Sequence, residues 1–131
     1  MALTKDEILK IRDLKVEPVD IPEWGGVVYV RGMTGDERDK FESSIVQMAA
    51  GGEQKINMKN VRARMACYTL CDEDGNRLFF DSEINELAKK SALALQRIFE
   101  VAQRLSGIGQ VEMDSLLKNS ESSQADDFIS G

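Results

Sequence analysis

The sequence contains no histidine. That absence removes the commonest general base and the commonest metal ligand. Cysteine is nearly absent as well: only Cys67 and Cys71 occur, four residues apart. A structural zinc site wants four ligands, usually Cys or His, so this pair reads as packed, reduced thiols. Serine, cysteine or carboxylate catalysis would each need an unusual base here. The chain therefore reads as a non-enzyme with no cofactor and no metal. Long apolar runs are missing too. No stretch approaches the roughly 18 residues of a membrane span, and Met1-Ala2-Leu3-Thr4-Lys5 lacks the apolar core of a signal peptide. A cytosolic location is expected, with the thiols reduced. Positive charge is in short supply: the net charge is −6 and the pI about 4.7. A nucleic-acid binder usually shows a basic face, so neither nucleic acid nor membrane is expected as a partner.

What is present suits one domain. A chain of 131 residues can bury a core of its own. Its organising stretch runs from Pro22 to Arg38 and holds the single tryptophan, Trp24. Pro22 to Gly26 reads as a turn, since Pro fixes φ and Gly supplies angles other residues avoid. Val27–Arg31 is β-branched and aromatic, as strands are. Thr34-Gly35-Asp36-Glu37 has the spacing of a capping box. Lys15–Asp20 reads as the partner strand, and Pro18 makes it an edge or a bulge. The two strands form an antiparallel hairpin across Trp24-Gly25-Gly26, with Trp24 as a packing residue at its end.

The rest reads mostly as helix. Thr4-Lys5-Asp6-Glu7 is a second capping box, opening a helix to about Asp13 with Ile8, Ile11 and Leu14 on its apolar side. Helix two spans Gly35 to about Ala49, with Phe41, Ile45, Met48 and Ala49 on one face. Gly51-Gly52 ends it, and Glu53–Ile56 reads as a mobile loop. Asn57 is the expected cap of helix three, Met58 to Leu70, with Val61, Met65 and Tyr68 inside. Lys55, Lys59, Arg62 and Arg64 read as a solvated basic face in preference to a phosphate site, given the acidity of the whole chain. Asp74-Gly75 between Leu70 and Leu78-Phe79-Phe80 signals a second hairpin. The acidic run there does not match an EF-hand, which needs Gly at its sixth position and Glu at its twelfth. Asp81 or Ser82 caps a short helix with Ile84 and Leu87.

The longest helix starts near Lys89 or Lys90 and ends at Leu105. Leu87, Ala94, Leu95, Ile98, Val101, Ala102 and Leu105 gather on one side. Phe99 and Ala92 widen that side, and Leu93 falls among the polar residues opposite. Leu93 and Phe99 are the candidate partner-binding residues, because apolar anchors at helical spacing are the usual form of helix-in-groove binding. Ser106-Gly107 stops the helix. The fold class is α+β and mainly helical: an N-terminal β-hairpin plus a bundle of about four helices. Residues 1–106 form a single globular domain, and 107–131 a flexible acidic tail with a short helix near 111–118.

The order of these pieces resembles a known family. Ile21-Pro22-Glu23-Trp24-Gly25-Gly26, then Val28-Tyr29-Val30-Arg31, then Met33-Thr34-Gly35-Asp36-Glu37-Arg38-Asp39-Lys40-Phe41 looks like the N-terminal half of tail assembly chaperones of long-tailed (siphovirus) phages and prophages. Leu78-Phe79-Phe80-Asp81, Glu86-Leu87, Lys90-Ser91, Leu95-Gln96-Arg97-Ile98 and Ala102-Gln103-Arg104-Leu105-Ser106-Gly107 continue the likeness. The resemblance implies a protein of the bacterial host cytoplasm that is left out of the mature virion. It also implies a tape measure protein as partner, kept soluble during tail assembly, recruitment of tail tube subunits, and a homo-oligomer. Two other readings stand beside it: a head–tail connector or tail-completion protein that stays in the virion, and a small inhibitory binding protein such as an antitoxin.

Overall fold

Both Thr-x-x-Glu boxes start helices. In α1 (Lys5–Lys10) the Glu7 backbone N–H donates to Thr4 Oγ1 at 3.2 Å, and Glu7 Oε1 accepts from the Thr4 N–H at 3.1 Å. In α2 (Gly35–Ile45) the Thr34 N–H donates to Glu37 Oε1 at 2.9 Å, and Thr34 Oγ1 accepts from the Glu37 N–H. Each box satisfies two N–H groups that a helix start otherwise leaves unpaired. The structure, a computed structural model, describes residues 1–48, 51–109 and 115.

Between these helices lies the expected hairpin. Strands β1 (Val16–Ile21) and β2 (Gly26–Arg31) pair antiparallel, Val16 opposite Arg31 and Ile21 opposite Gly26. A 3-10 turn, Pro22–Trp24, joins them and closes on Gly25 at φ +70°, an angle only glycine adopts without strain. The chain then runs through β3 (Val46–Met48), β4 (Gln54–Ile56), α3 (Val61–Thr69), β5 (Leu70–Cys71), α4 (Ile84–Leu87) and α5 (Ala92–Leu105). The main sheet has the order β1-β2-β5. Pro18 thus sits in an edge strand, where its missing N–H costs no ladder bond.

Several expectations are corrected. The first helix ends at Lys10, three residues short, and buries none of its residues; Ile8 and Ile11 are exposed. Helix two stops at Ile45, because Val46–Met48 pairs with Gln54–Ile56 and Ile45 O accepts from the Asn57 N–H. The expected loop at Glu53–Ile56 is therefore mostly a strand, and Ala49 lies outside the described residues. Asn57 does not cap α3: it accepts from the Lys59 N–H at 3.0 Å, and α3 begins at Asn60, φ +56°, with no side-chain cap. At the second turn, Gly75 (φ +88°) supports a narrow return: the Asp72 N–H donates to Asn76 O and the Leu78 N–H to Leu70 O. Only Cys71 and Arg77 form a bridge there. Leu70-Cys71 instead extends the main sheet beside Tyr29 and Val30.

The protein is α+β, with α2, α4 and α5 gathered about α3. All of α3 except Arg62 is buried, as expected of a helix packed on every side. Its neighbours are α2, α4 and, most extensively, α5, which also lies on β1 and β2. Residues from all of them, including Ile21, Val30, Phe41, Met65, Leu95 and Ile98, form one core. Ile108 is buried too, and its N–H donates to Gln103 O. The folded body thus reaches two residues past the expected boundary at 106. The short helix expected near 111–118 lies outside the described residues, apart from Ser115.

At the heart of this assembly is Glu37. Its Oε2 accepts from Arg31 Nη2 at 2.9 Å and lies 3.7 Å from Arg77 Nη1, while Oε1 closes the α2 capping box. Arg31 and Glu37 are both buried. Breaking a buried ion pair leaves an uncompensated charge and costs about 3–5 kcal/mol. Glu37→Ala should therefore lower the unfolding free energy by about that amount in urea titration.

Close packing marks Gly32. A Cβ there would meet Leu105 O, a backbone atom at the end of α5, at 2.6 Å. The same junction is tied by the Met33 N–H donating to Ser106 Oγ at 3.0 Å. Gly32→Ala should push the α5 end off the sheet and cost about 1–3 kcal/mol, the usual range for overpacking, read as a lowered melting temperature.

Candidate functional site

The two candidate residues on α5 part company. Leu93 is 55% exposed, whereas Phe99 is 7% exposed and belongs to the core. Phe99, expected at the edge of the apolar arc, is covered by Arg62, whose guanidinium carbon lies 5.8 Å from the ring centroid. Arg62 is held there by the Gln96 side-chain carbonyl, and Gln96 donates to Glu100 at 3.1 Å. A cation lodged over an aromatic face is attracted by the ring quadrupole.

The stripe carrying Leu93 is otherwise occupied. Arg97 Nε and Nη2 donate to the two Glu23 carboxylate oxygens at 2.8 and 3.1 Å. Arg104 reaches both Glu17 oxygens, at 3.1 and 2.6 Å. These bonds, more than any other influence, hold the Glu17 and Glu23 carboxyls below their ordinary values. They fasten α5 to β1 and to the hairpin turn, and Leu93 lies one helical turn beyond the last clamp.

The turn itself forms the second apolar feature. Trp24, Phe79, Glu86, Leu87 and Lys90 line a groove of about 350 Å³. Trp24 retains 37% of its surface exposed, and the neighbours of Phe79, namely Leu78 and Phe80, are 53% and 77% exposed. Residue-by-residue reading missed this groove, having assigned Leu78-Phe79-Phe80 to a strand. The signal was the aromatic pair itself, placed directly after a turn. A third apolar surface is α1, where Ile8, Leu9 and Ile11 are all exposed.

The groups with catalytic chemistry are placed otherwise. Cys67 and Cys71 are buried and unpaired, as expected. Burial, partly opposed by Arg77 at Cys67 and by Arg31 at Cys71, pushes both thiols up. Cys67 Sγ donates to Phe80 O at 3.2 Å. A protonated thiol is a weak nucleophile and a poor metal ligand. In the acidic turn, Asp72 accepts from the backbone N–H groups of Asp74 and Asn76 and from the Asn76 side chain, so its carboxylate is spent within its own loop. Among the described residues, no three His, Cys, Asp or Glu side chains gather as metal ligands, and no helix is long and apolar enough to cross a membrane.

The different burial of the two candidates sets their response to mutation. Phe99→Ala should cost about 3–5 kcal/mol, as truncated core aromatics do. Leu93→Glu should leave the melting temperature within about a degree or two, because surface changes away from such features stay near ±0.5 kcal/mol. Thermal denaturation of the two variants side by side reads the difference.

The fold has a solved counterpart. The structure of the bacteriophage HK97 tail assembly chaperone superposes with a TM-score of 0.56 at 18% identity, covering 73% of this chain and 85% of that one. No curated protein matches this chain in sequence. A family model described as phage tail assembly chaperone matches residues 8–125. That span takes in the hairpin, α2, the whole α3–α5 packing and the exposed apolar positions from Ile8 to Leu93, and the chain belongs to the phage tail assembly chaperone family.

Proposed function

We propose that this chain binds the tape measure protein, keeps it soluble while a tail is built, and recruits tail tube subunits to it. The observation that carries the reading is the family match across residues 8–125. The surface is consistent with it. Leu93, the Trp24–Phe79 groove and the apolar side of α1 present exposed apolar groups to a partner rich in amphipathic helix, the class of ligand that such anchors accept. Burying one such side chain is worth roughly 1.5–3 kcal/mol, enough for at least a tenfold change in affinity. The chain acts by binding and not by catalysis. It works in the bacterial host cytoplasm as an oligomer and is left out of the finished virion. Neither the connector nor the inhibitor reading has an observation in its favour.

Co-expression tests this directly. The tape measure protein should be recovered in the soluble fraction with this chain and in the pellet without it. Leu93→Glu should reduce that recovery while the variant itself stays folded. Equal recovery with and without the chain would sink the proposal.

A further inference from the structure

Arg64, expected on a solvated basic face, is 93% buried by its 7% residual exposure. Its Nη1 donates to Ser44 Oγ at 2.5 Å, and its Nη2 donates to the Asn57 and Lys59 backbone carbonyls at 2.8 and 2.6 Å. Its buried Nε has no partner among the described residues. None of these acceptors carries a charge. Among the described residues no carboxylate pairs with Arg64; the ion pairs there belong to Arg31, Arg38, Arg77, Arg97 and Arg104. Burial accordingly pulls the guanidinium below its ordinary value. A buried charge is normally neutralised by a partner.

Arg64 stands in the wall of a pocket of about 400 Å³. The other lining residues include the polar Ser44, Asn57, Lys59, Asp81, Ser82 and Asn85, with Ile84 as an apolar member. The pocket's one acidic group, Asp81, is already engaged by Arg77 at 2.9 Å. Lys59 is exposed, and among the described residues no ion pair holds its ammonium. The start of α3 borders the same space and has no side-chain cap, so the positive end of its dipole adds to the field. Uncompensated cations, amide and hydroxyl donors and a helix start thus converge on one opening.

We infer that this pocket is an anion site that takes a carboxylate presented by a polypeptide, with Arg64 and Lys59 supplying the charge and Asn85 and Ser82 the hydrogen bonds. The carboxylate is favoured over a phosphate because the same rim carries Asp81, which repels a second negative charge. Only the choice of a polypeptide as carrier rests on the chaperone reading; the site does not depend on it.

The test uses the full chain, with the Arg64 Nε–H and Asn85 side-chain amide resonances as probes. Three capped or free peptides are titrated at matched ionic strength: one with a single internal Asp and both ends blocked, one all-glycine with a free C-terminal carboxylate, and one all-glycine with both ends blocked. The site predicts saturable shifts with one or both carboxylate peptides and none with the neutral one; which of the two acts tells a side chain from a chain end. Lys59→Gln, at an exposed position, should weaken that binding about threefold, the effect of losing one rim charge. No saturable shift with either carboxylate, equal shifts with the neutral peptide, or tighter binding of inorganic phosphate would each overturn the assignment. Because the readout is made without the tape measure protein, its failure leaves the chaperone reading standing. Conversely, failure of the co-expression experiment leaves the carboxylate site standing.

Discussion

The Glu37 carboxylate is the point on which the other elements converge. One oxygen closes the capping box of α2; the other receives Arg31 from the end of β2 and faces Arg77 from the turn after β5. Arg77 in turn donates to the Cys67 backbone carbonyl in α3 and to Asp81 before α4, and lies over the Tyr68 ring at 5.0 Å. Strand, helix starts and the central helix are thus referred to a single buried charge. Such a pair adds little net stability over an apolar replacement, because removing both charges from water offsets most of the attraction. What it supplies here is placement. The short link Gly32-Met33-Thr34 between β2 and α2 must pass within contact of the α5 end, and the Arg31–Glu37 pair spans that link.

The local rules were readable from the chain and the long-range ones were not. Both capping boxes, the Gly25 turn and the edge position of Pro18 depend on neighbours a few residues away, and each stands in the structure as its spacing implies. The β3–β4 pair was hidden because Val46–Met48 continues the helical spacing of Phe41 and Ile45. Strand pairing across Gly51-Gly52 overrode that pattern, as tertiary context commonly overrides propensity. Arg64 was misplaced for a related reason. On a helix buried on all sides the polar residues cannot mark a solvent face, and the one arginine that turns inward finds acceptors among the carbonyls of the preceding loop.

The candidate site divides along the same line. A helical wheel distinguishes sides of α5, but it cannot say where on the polar side another element will arrive. Phe99 lies within the apolar arc and is sealed by Arg62, a residue from another helix. Trp24 and Phe79, far apart in the chain, share one groove; nothing in the spacing of either segment joins them. The family resemblance, by contrast, was legible in short hydrophobic and turn motifs spread over most of the chain, because each of them is a local pattern.

Leu93 shows how the fold itself fixes an exposed apolar side chain. At about 100° per residue, Leu93, Arg97 and Arg104 fall on one stripe of α5. Two of the three are committed to Glu23 and Glu17 on the hairpin, and the opposite side of the helix is committed to α3 through Ala94, Leu95, Ile98 and Ala102. Rolling α5 to bury Leu93 would break both bidentate pairs and withdraw that apolar face from the core. The hairpin turn reaches Glu23 and goes no further along the stripe. Leu93 is therefore left outside by the length of the hairpin, not by a weak preference of its own. The α5 backbone that carries Leu93 is already fixed by these pairs and by the core, so covering that side chain does not require ordering the helix as well.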